Sequence, residues 1–228
     1  MSLLTRVLFL GLLTLSLSIF GADLALAVTG EEILKGLSKR YQGLHGLSAT
    51  YSRKTQTELT RDIFQNKESQ ATGQLAWREP AFLRLEQKSP TEELMVTDGS
   101  TVWWYLIAEK QVHIYRQLDL AGEMAPLLSF LTNLNELKKN FRVKISPDES
   151  DRPKQSGLLL DPRQKDSATG RIIAWCDQDF QLTGFDLLTV TGEKTSFYLT
   201  NVEPQSWELD QFSFTPPQGV KIIEESAN

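Results

Sequence analysis

The chain has 228 residues, of which 40% are hydrophobic and 23% are charged, and its net charge is −5. This length fits one domain or two small ones. Because phosphate binding needs clustered Lys and Arg, the dispersed charge argues against a nucleic-acid partner. The single cysteine, Cys176, cannot form an intramolecular disulfide and cannot hold a structural zinc by itself.

The first 27 residues have the pattern of a secretory signal peptide. Arg6 precedes an apolar run over 7–20, which is shorter than the roughly 20 residues that a membrane-spanning helix needs. Ala25-Leu26-Ala27 follows as an A-x-A cleavage site. We therefore predict cleavage after Ala27, export to the periplasm and a single mature domain over 28–228. An uncleaved membrane anchor is the alternative.

A helix is predicted directly after this segment. Thr29 and Glu32 have the spacing of a capping box. The apolar residues that follow share one helical face, and they are Ile33, Leu34, Leu37, Tyr41 and Leu44. Gly43 and Gly46 predict the end of the helix. The apolar stripe must pack on another apolar surface.

From Leu47 onward the apolar residues repeat with a period of two, which indicates β-strands. Candidate strands follow one another with short turns, at 47–52, 73–77, 82–86, 94–97, 101–106 and 112–116. Residues 121–139 have helical spacing instead. Further strands are predicted at 141–145, 157–161, 171–176, 180–190 and 194–202. The polar segment 146–156 is expected to be an exposed loop between strands.

Consecutive strands without helices between them are typical of an antiparallel meander. About ten strands and two or three helices are predicted, which places the chain in a mainly β form of the α+β class. One antiparallel sheet of this size must curl into a barrel or split, because open twisted sheets rarely exceed about ten strands. The N-terminal helix and the helices predicted in 121–139 would cover an open side.

Motifs typical of enzymes do not occur in the sequence. His45 and His113 lack metal-ligand spacing, and there is neither a G-x-S-x-G elbow nor a glycine-rich phosphate loop. Cys176 lies in an apolar strand and is expected to be a buried, unreactive thiol. We therefore predict a protein that is not an enzyme and uses no metal or cofactor. An unrecognised hydrolase is the remaining alternative.

Aromatic residues are concentrated on the predicted strands, and they are Trp77, Trp103, Trp104, Tyr105, Trp175 and Tyr198. They can be ordinary core residues or the wall of an apolar cavity. Because neighbouring strand residues point to opposite faces, at most one of Trp103 and Trp104 faces inward.

Three motifs occur in order along the chain. They are Gly73-Gln-Leu-Ala-Trp-Arg-Glu-Pro80 followed by Phe82-Leu-Arg-Leu-Glu86, then Thr97-Asp-Gly-Ser-Thr-Val-Trp-Trp-Tyr105, and finally Phe212-Ser-Phe-Thr-Pro-Pro-Gln-Gly-Val220. With these motifs the chain resembles the LolA family of periplasmic carriers of outer-membrane lipoproteins, over essentially the whole mature chain. The related receptor LolB is itself a lipoprotein, whereas this signal peptide has no lipidated cysteine.

The resemblance implies an unclosed antiparallel β-barrel of about ten or eleven strands with a helical lid, whose hollow takes the acyl chains of lipoproteins. It also implies a cofactor-free monomer that collects acylated lipoproteins from an inner-membrane ABC transporter. An outer-membrane lipoprotein receptor would then accept them. A lipid-sensing regulatory domain and a carrier of another lipid are alternatives on the same fold.

Strand alternation then selects the residues that we expect to bind acyl chains. The expected cavity wall consists of Leu47, Ala49, Tyr51, Leu75, Trp77, Leu83, Leu85, Met95 and Trp103. From the lid we expect Leu127, Leu128, Phe130 and Leu131 to contribute.

A possible lid latch departs from the family pattern. LolA-like sequences commonly have an Arg directly before the Pro of the first motif, and this Arg is thought to latch the lid. Here that position is Glu79, and Arg78 precedes it. Arg78 and Glu79 are thus the candidate latch residues. Either Glu79 latches differently, or the lid is looser, or the lipoprotein differs.

Overall fold

The architecture is one large β-sheet with few helices. A computed structural model describes residues 28–56, 69–116, 134–147, 152–163, 170–190 and 192–225. The predicted signal peptide and all four lid residues, Leu127, Leu128, Phe130 and Leu131, lie outside these ranges. The structure therefore does not test the predictions made for these residues.

The described residues form two α-helices, twelve strands and one short 3-10 helix. The helices are α1 (Gly30–Tyr41), α2 (Leu134–Asn140) and the 3-10 helix Leu209–Phe212. The first six strands are β1 (Gly46–Gln56), β2 (Ser69–Arg78), β3 (Phe82–Ser89), β4 (Glu93–Thr97), β5 (Thr101–Leu106) and β6 (Gln111–Arg116). The other six are β7 (Phe141–Ile145), β8 (Ser156–Pro162), β9 (Arg171–Cys176), β10 (Leu182–Leu188), β11 (Lys194–Pro204) and β12 (Lys221–Glu225).

Helix α1 begins at the predicted capping box. The Thr29 hydroxyl accepts a hydrogen bond from the backbone N–H of Glu32 (3.2 Å), and the Glu32 carboxylate accepts one from the backbone N–H of Thr29 (2.8 Å). These hydrogen bonds lower the pKa of Glu32. After the helix, Gly43 adopts a left-handed conformation (φ 74°), which glycine accommodates without steric cost. The sequence therefore predicted where α1 begins. Leu44, which was expected on the apolar face of the helix, lies beyond the last helical residue, Tyr41.

All twelve strands belong to a single sheet with the order β12-β6-β5-β4-β3-β2-β1-β11-β10-β9-β8-β7. Neighbouring strands are antiparallel except β12, which runs parallel to β6. The edge strands β7 and β12 do not pair with each other in the described part of the chain, so the sheet is unclosed. This confirms the predicted mainly β, unclosed fold. The expected ten or eleven strands become twelve, because β12 and its parallel pairing with β6 were not predicted.

The two faces of the sheet carry different cores. We call the face that packs on α1 the inner face, and its buried residues the main core. Ile33, Leu34 and Leu37 of α1 are buried there against inner-face residues of eight strands, β1–β3 and β7–β11. Cross-strand partners in an antiparallel sheet share a face, which makes this core continuous across the strands.

The opposite, outer face of β2–β5 is covered by residues 205–220, which we call the outer strap. Phe212 is buried there with Ala76 and Val96, and partly buried apolar side chains complete this outer core, namely Phe82, Leu94, Trp103, Trp207 and Phe214. The Trp207 indole N–H donates to the backbone carbonyl of Leu47 (2.9 Å). The strap thus contains the Phe212–Val220 motif and joins β11 to β12.

The segment 146–156 is not simply the exposed loop that its composition predicted. Arg152 is only 2% exposed, and its guanidinium donates to the carboxylate of Asp186 (2.9 Å) and to the backbone carbonyl of Phe197 (2.9 Å). Arg152 also lies over the ring of Tyr198, with 4.1 Å between its Cζ and the ring centroid. Asp186 accepts a further hydrogen bond from the Trp175 indole (3.0 Å). A buried ion pair therefore holds this segment to the sheet.

We predict that Arg152→Ala destabilises the fold by about 3 kcal/mol. It removes the closer of the two cations that pair with the buried Asp186 carboxylate and leaves Lys194, whose Nζ atom lies 3.3 Å from Asp186 Oδ2. The control is Arg142→Ala, since Arg142 pairs with Asp161 (3.3 Å) at a largely exposed position. That substitution should cost about 0–1 kcal/mol. Urea unfolding followed by circular dichroism measures both. Equal losses of stability would contradict the importance of the buried pair.

Candidate functional site

The candidate site lies on the inner face of β2–β5. The strand register aligns Leu75, Leu85, Met95 and Trp104 as successive cross-strand partners. We call this line the apolar row. Since such partners lie about 5 Å apart, their side chains form a continuous apolar surface across four strands.

The expected wall residues fall into two groups by burial. Six of them are at most 4% exposed and belong to the main core, namely Leu47, Ala49, Tyr51, Leu75, Trp77 and Leu83. Leu85 and Met95 are only half-buried, as is Trp104 beside them. The structure therefore brings eight of the nine expected wall residues, all except Trp103, to the inner face. The half-buried apolar surface on this face is concentrated on β3–β5.

Trp103 is placed differently from the expectation. It pairs with Val96 on the outer face and packs against the outer core, so it does not share the inner face with the other expected wall residues. Trp104 takes the inner position, and its indole N–H donates to the Glu93 carboxylate (3.0 Å). The hairpin turn predicted at Asp98-Gly99 contained the information needed to choose between Trp103 and Trp104. Its register pairs Met95 with Trp104, so choosing Met95 for the inner face already excluded Trp103.

Both candidate latch residues have partners outside the predicted lid. The Arg78 guanidinium donates to the backbone carbonyl of Trp207 (2.6 Å) in the outer strap. Glu79 pairs with the Nδ1 atom of His45, in the segment before β1. Because the lid residues lie outside the described ranges, a latch remains a prediction. The hydrogen bond of Arg78 joins the C-terminal end of β2 to the strap, and the pair of Glu79 with His45 joins it to the α1–β1 connection.

Polar side chains also occupy the inner face, next to the apolar row. Gln87 is 5% exposed, and its side-chain amide forms three hydrogen bonds with neighbouring groups. Its amide oxygen accepts from the Arg53 guanidinium (2.9 Å), and its amide nitrogen donates to the Thr91 carbonyl and the Glu93 carboxylate (3.0 Å each). Sequence reasoning missed this group, although Gln87 and Glu93 alternate in phase with Leu85 and Met95.

Trp77 also has an unusual environment for its polar atom. Its side chain is fully buried in the main core, and its indole N–H has no hydrogen-bond partner among the described residues. An unpaired buried donor costs about 1–3 kcal/mol. Packing of this large aromatic ring must therefore offset that cost.

The described residues contain no group of three or more His, Cys, Asp or Glu side chains that could hold a metal ion. Among the helices in these ranges, none has the length and apolar character needed to cross a membrane. Cys176 is fully buried, and its thiol donates to the Ser156 carbonyl (3.6 Å). Burial, followed by the nearby Asp177 carboxylate, raises the pKa of Cys176 to about 11.

The fold and the site define a mainly β protein with an unclosed sheet and an apolar inner face. Residues 43–215 match the family model described as "Outer membrane lipoprotein carrier protein LolA". This match covers more than half of the chain, and the chain therefore belongs to the LolA family.

Several curated proteins are similar over most of their length. An outer-membrane lipoprotein carrier protein from Vibrio parahaemolyticus is 29% identical over 210 residues, covering 92% of each chain. One with the same name from Azotobacter vinelandii is 26% identical and covers 96% of this chain and 98% of its own. Among solved structures, a LolA superfamily protein from Nitrosomonas europaea is 12% identical with a TM-score of 0.44. Its alignment covers 82% of this chain and 99% of that chain.

We predict that Cys176 is unreactive in the folded protein. With a pKa of about 11, roughly one thiol in a thousand is ionised at pH 8, whereas an unfolded cysteine is about one-quarter ionised. Alkylation by iodoacetamide at pH 8, followed by mass spectrometry, should be at least about 100-fold slower in buffer than in concentrated urea. Similar rates in the two conditions would show that the thiol is accessible and ionised in the native state.

Proposed function

We propose that this protein is a periplasmic carrier that binds the acyl chains of lipoproteins and moves them from the inner to the outer membrane. Membership of the LolA family is the observation that carries this proposal. The relatives named as outer-membrane lipoprotein carrier proteins support it. The predicted signal peptide supports the periplasmic location, with cleavage after Ala27.

The inner face of β2–β5 is the proposed acyl-binding surface. Each methylene group removed from water contributes about 0.8 kcal/mol, so one long acyl chain represents on the order of 10 kcal/mol. The half-buried side chains of Leu85, Met95 and Trp104 offer first contact to such a chain. An acyl chain that enters more deeply must separate side chains that pack against each other in the main core. The free energy lost in separating them lowers the affinity and keeps binding reversible.

Transfer in this proposal uses protein partners and no chemical step. An inner-membrane ABC transporter releases the lipoprotein to the carrier, and an outer-membrane lipoprotein receptor takes it over. The carrier acts as a monomer, without catalytic activity, cofactor or metal. Lid residues Leu127, Leu128, Phe130 and Leu131 shield the acyl chains during transit, and release follows the higher affinity of the next partner.

Purification of the protein from the periplasm, followed by mass spectrometry of bound molecules, tests the proposal directly. We expect acylated lipoproteins in the bound fraction. Recovery of free lipid alone would contradict lipoprotein carriage. It would favour the alternatives, a lipid-sensing domain or a carrier of another lipid.

We predict that Met95→Glu weakens lipoprotein binding by about tenfold or more, because a charged carboxylate is costly to cover with hydrocarbon. Met95 is the better target than Leu83, since Leu83 is buried in the main core and its replacement would disturb folding. Binding is measured with a synthetic peptide that carries acyl chains on its N-terminal cysteine.

Ile222→Glu is the matched control for this variant. It introduces the same charge on the outer face of β12, where Ile222 is 53% exposed, and it should leave lipopeptide binding unchanged. Urea midpoints for both variants show whether the fold is retained. Equal binding by Met95→Glu and the unmodified protein would remove β4 from the proposed surface.

A further inference from the structure

The inner face of β1–β5 carries one cation and one anion among its described residues. The cation is Arg53 on β1 and the anion is Glu93 on β4. Register places Gln87 opposite Glu93, and Arg53 reaches Gln87 across the intervening strand β2. Gln87 and Glu93 lie two residues along their strands from the apolar row, a step of about 7 Å. Arg53 lies four residues along β1 from Ala49, the residue opposite Leu75.

The two charges differ in how completely they are satisfied. The Glu93 carboxylate accepts hydrogen bonds from Gln87 (3.0 Å), Thr91 (3.2 Å) and Trp104 (3.0 Å). The Arg53 guanidinium has five N–H donors, and among the described residues it makes one hydrogen bond, to the Gln87 amide oxygen. Within the described part of the chain, Arg53 therefore has unused donors beside an apolar surface, whereas the Glu93 carboxylate accepts three hydrogen bonds.

A second donor lies beside Arg53 on the same face of β1. Tyr51 is 3% exposed, yet its hydroxyl forms no hydrogen bond with the described residues. Its ring lies against Gly73 on β2, where an added Cβ would come within 2.8 Å of the ring. Burial raises the pKa of Tyr51, while Arg53 lowers it and Glu93 raises it, which places this hydroxyl in the field of both charges. Glycine at position 73 thus leaves room for the Tyr51 ring, on the same face of β1 as Arg53.

From this arrangement we infer that Arg53 and Tyr51 bind the carbonyl oxygens of the ester or amide bonds that join the acyl chains to the lipoprotein. This inference rests on the proposed function. An acyl chain along the apolar row ends in such a carbonyl, which accepts hydrogen bonds and carries no charge. A cation balanced by the nearby Glu93 suits a neutral acceptor better than a phosphate, because the carboxylate repels an anionic head group.

The test compares two lipopeptides with the same peptide and the same chain length. One carries ester-linked acyl chains, and the other carries ether-linked alkyl chains that lack the carbonyl oxygens. The unmodified protein should bind the ester form about tenfold more tightly, the scale of a hydrogen bond to a charged donor. In Arg53→Met this ratio should fall to about three, which is the share left to Tyr51, and in Tyr51→Phe it should decrease by about threefold.

Arg116→Met is the matched control, because Arg116 is an exposed residue of β6 that pairs with Glu224 on the outer face. It should retain the full ester-to-ether ratio. Circular dichroism and urea midpoints are recorded for every variant. Because the ratio compares two ligands on one protein, a general loss of stability does not mimic the effect.

Three outcomes overturn the inference in distinguishable ways. An unchanged ratio in Arg53→Met overturns it alone and leaves the proposed function standing. If a dialkyl phosphate binds more tightly than the ester lipopeptide, and this binding depends on Arg53, then the ligand of Arg53 is a phosphate and not a carbonyl group. Failure of the unmodified protein to bind either lipopeptide overturns the proposed function and this inference with it.

Discussion

Cross-strand register is the constraint on which the rest of this structure depends. Paired residues in an antiparallel sheet share a face, so alignment of Leu75, Leu85, Met95 and Trp104 fixes the inner surface of four strands at once. A slip of one residue would exchange the inner and outer sets along a whole strand. The Asp98-Gly99 turn holds this register between β4 and β5, where the Asp98 carboxylate accepts hydrogen bonds from the backbone N–H groups of Ser100 and Thr101 (2.8 Å each).

Part of the burial that stabilises the sheet lies on the outer face, away from the residues proposed to bind a ligand. On the outer face, the strap buries Phe212 against Val96, and Arg152 forms its buried pair with Asp186. These contacts do not involve the apolar row. In the proposed carrier, these contacts would keep the sheet folded while contacts on the inner face of β3–β5 are exchanged for those of a lipid.

The polar group on the inner face would orient a bound acyl chain, which the apolar surface around it cannot do. Apolar contacts alone allow an acyl chain to slide, because their free energy depends on the buried area and little on geometry. Hydrogen bonds from Arg53 would fix where the chain ends. Gln87 links the two charges and keeps the group compatible with its apolar surroundings, since buried polar atoms are stable only when paired.

Local sequence determined the start of α1 with its capping box, most of the strands, the inner-face placement of eight of the nine expected wall residues, and the family. These features follow from residue periodicity and short-range hydrogen bonds, or from contiguous motifs. Tertiary structure alone decided the parallel pairing of β12 with β6, the burial of Arg152 in a polar segment, and the Arg53–Gln87–Glu93 group. Each of these joins residues distant in sequence or on separate strands, and periodicity within one segment carries no information about such partners.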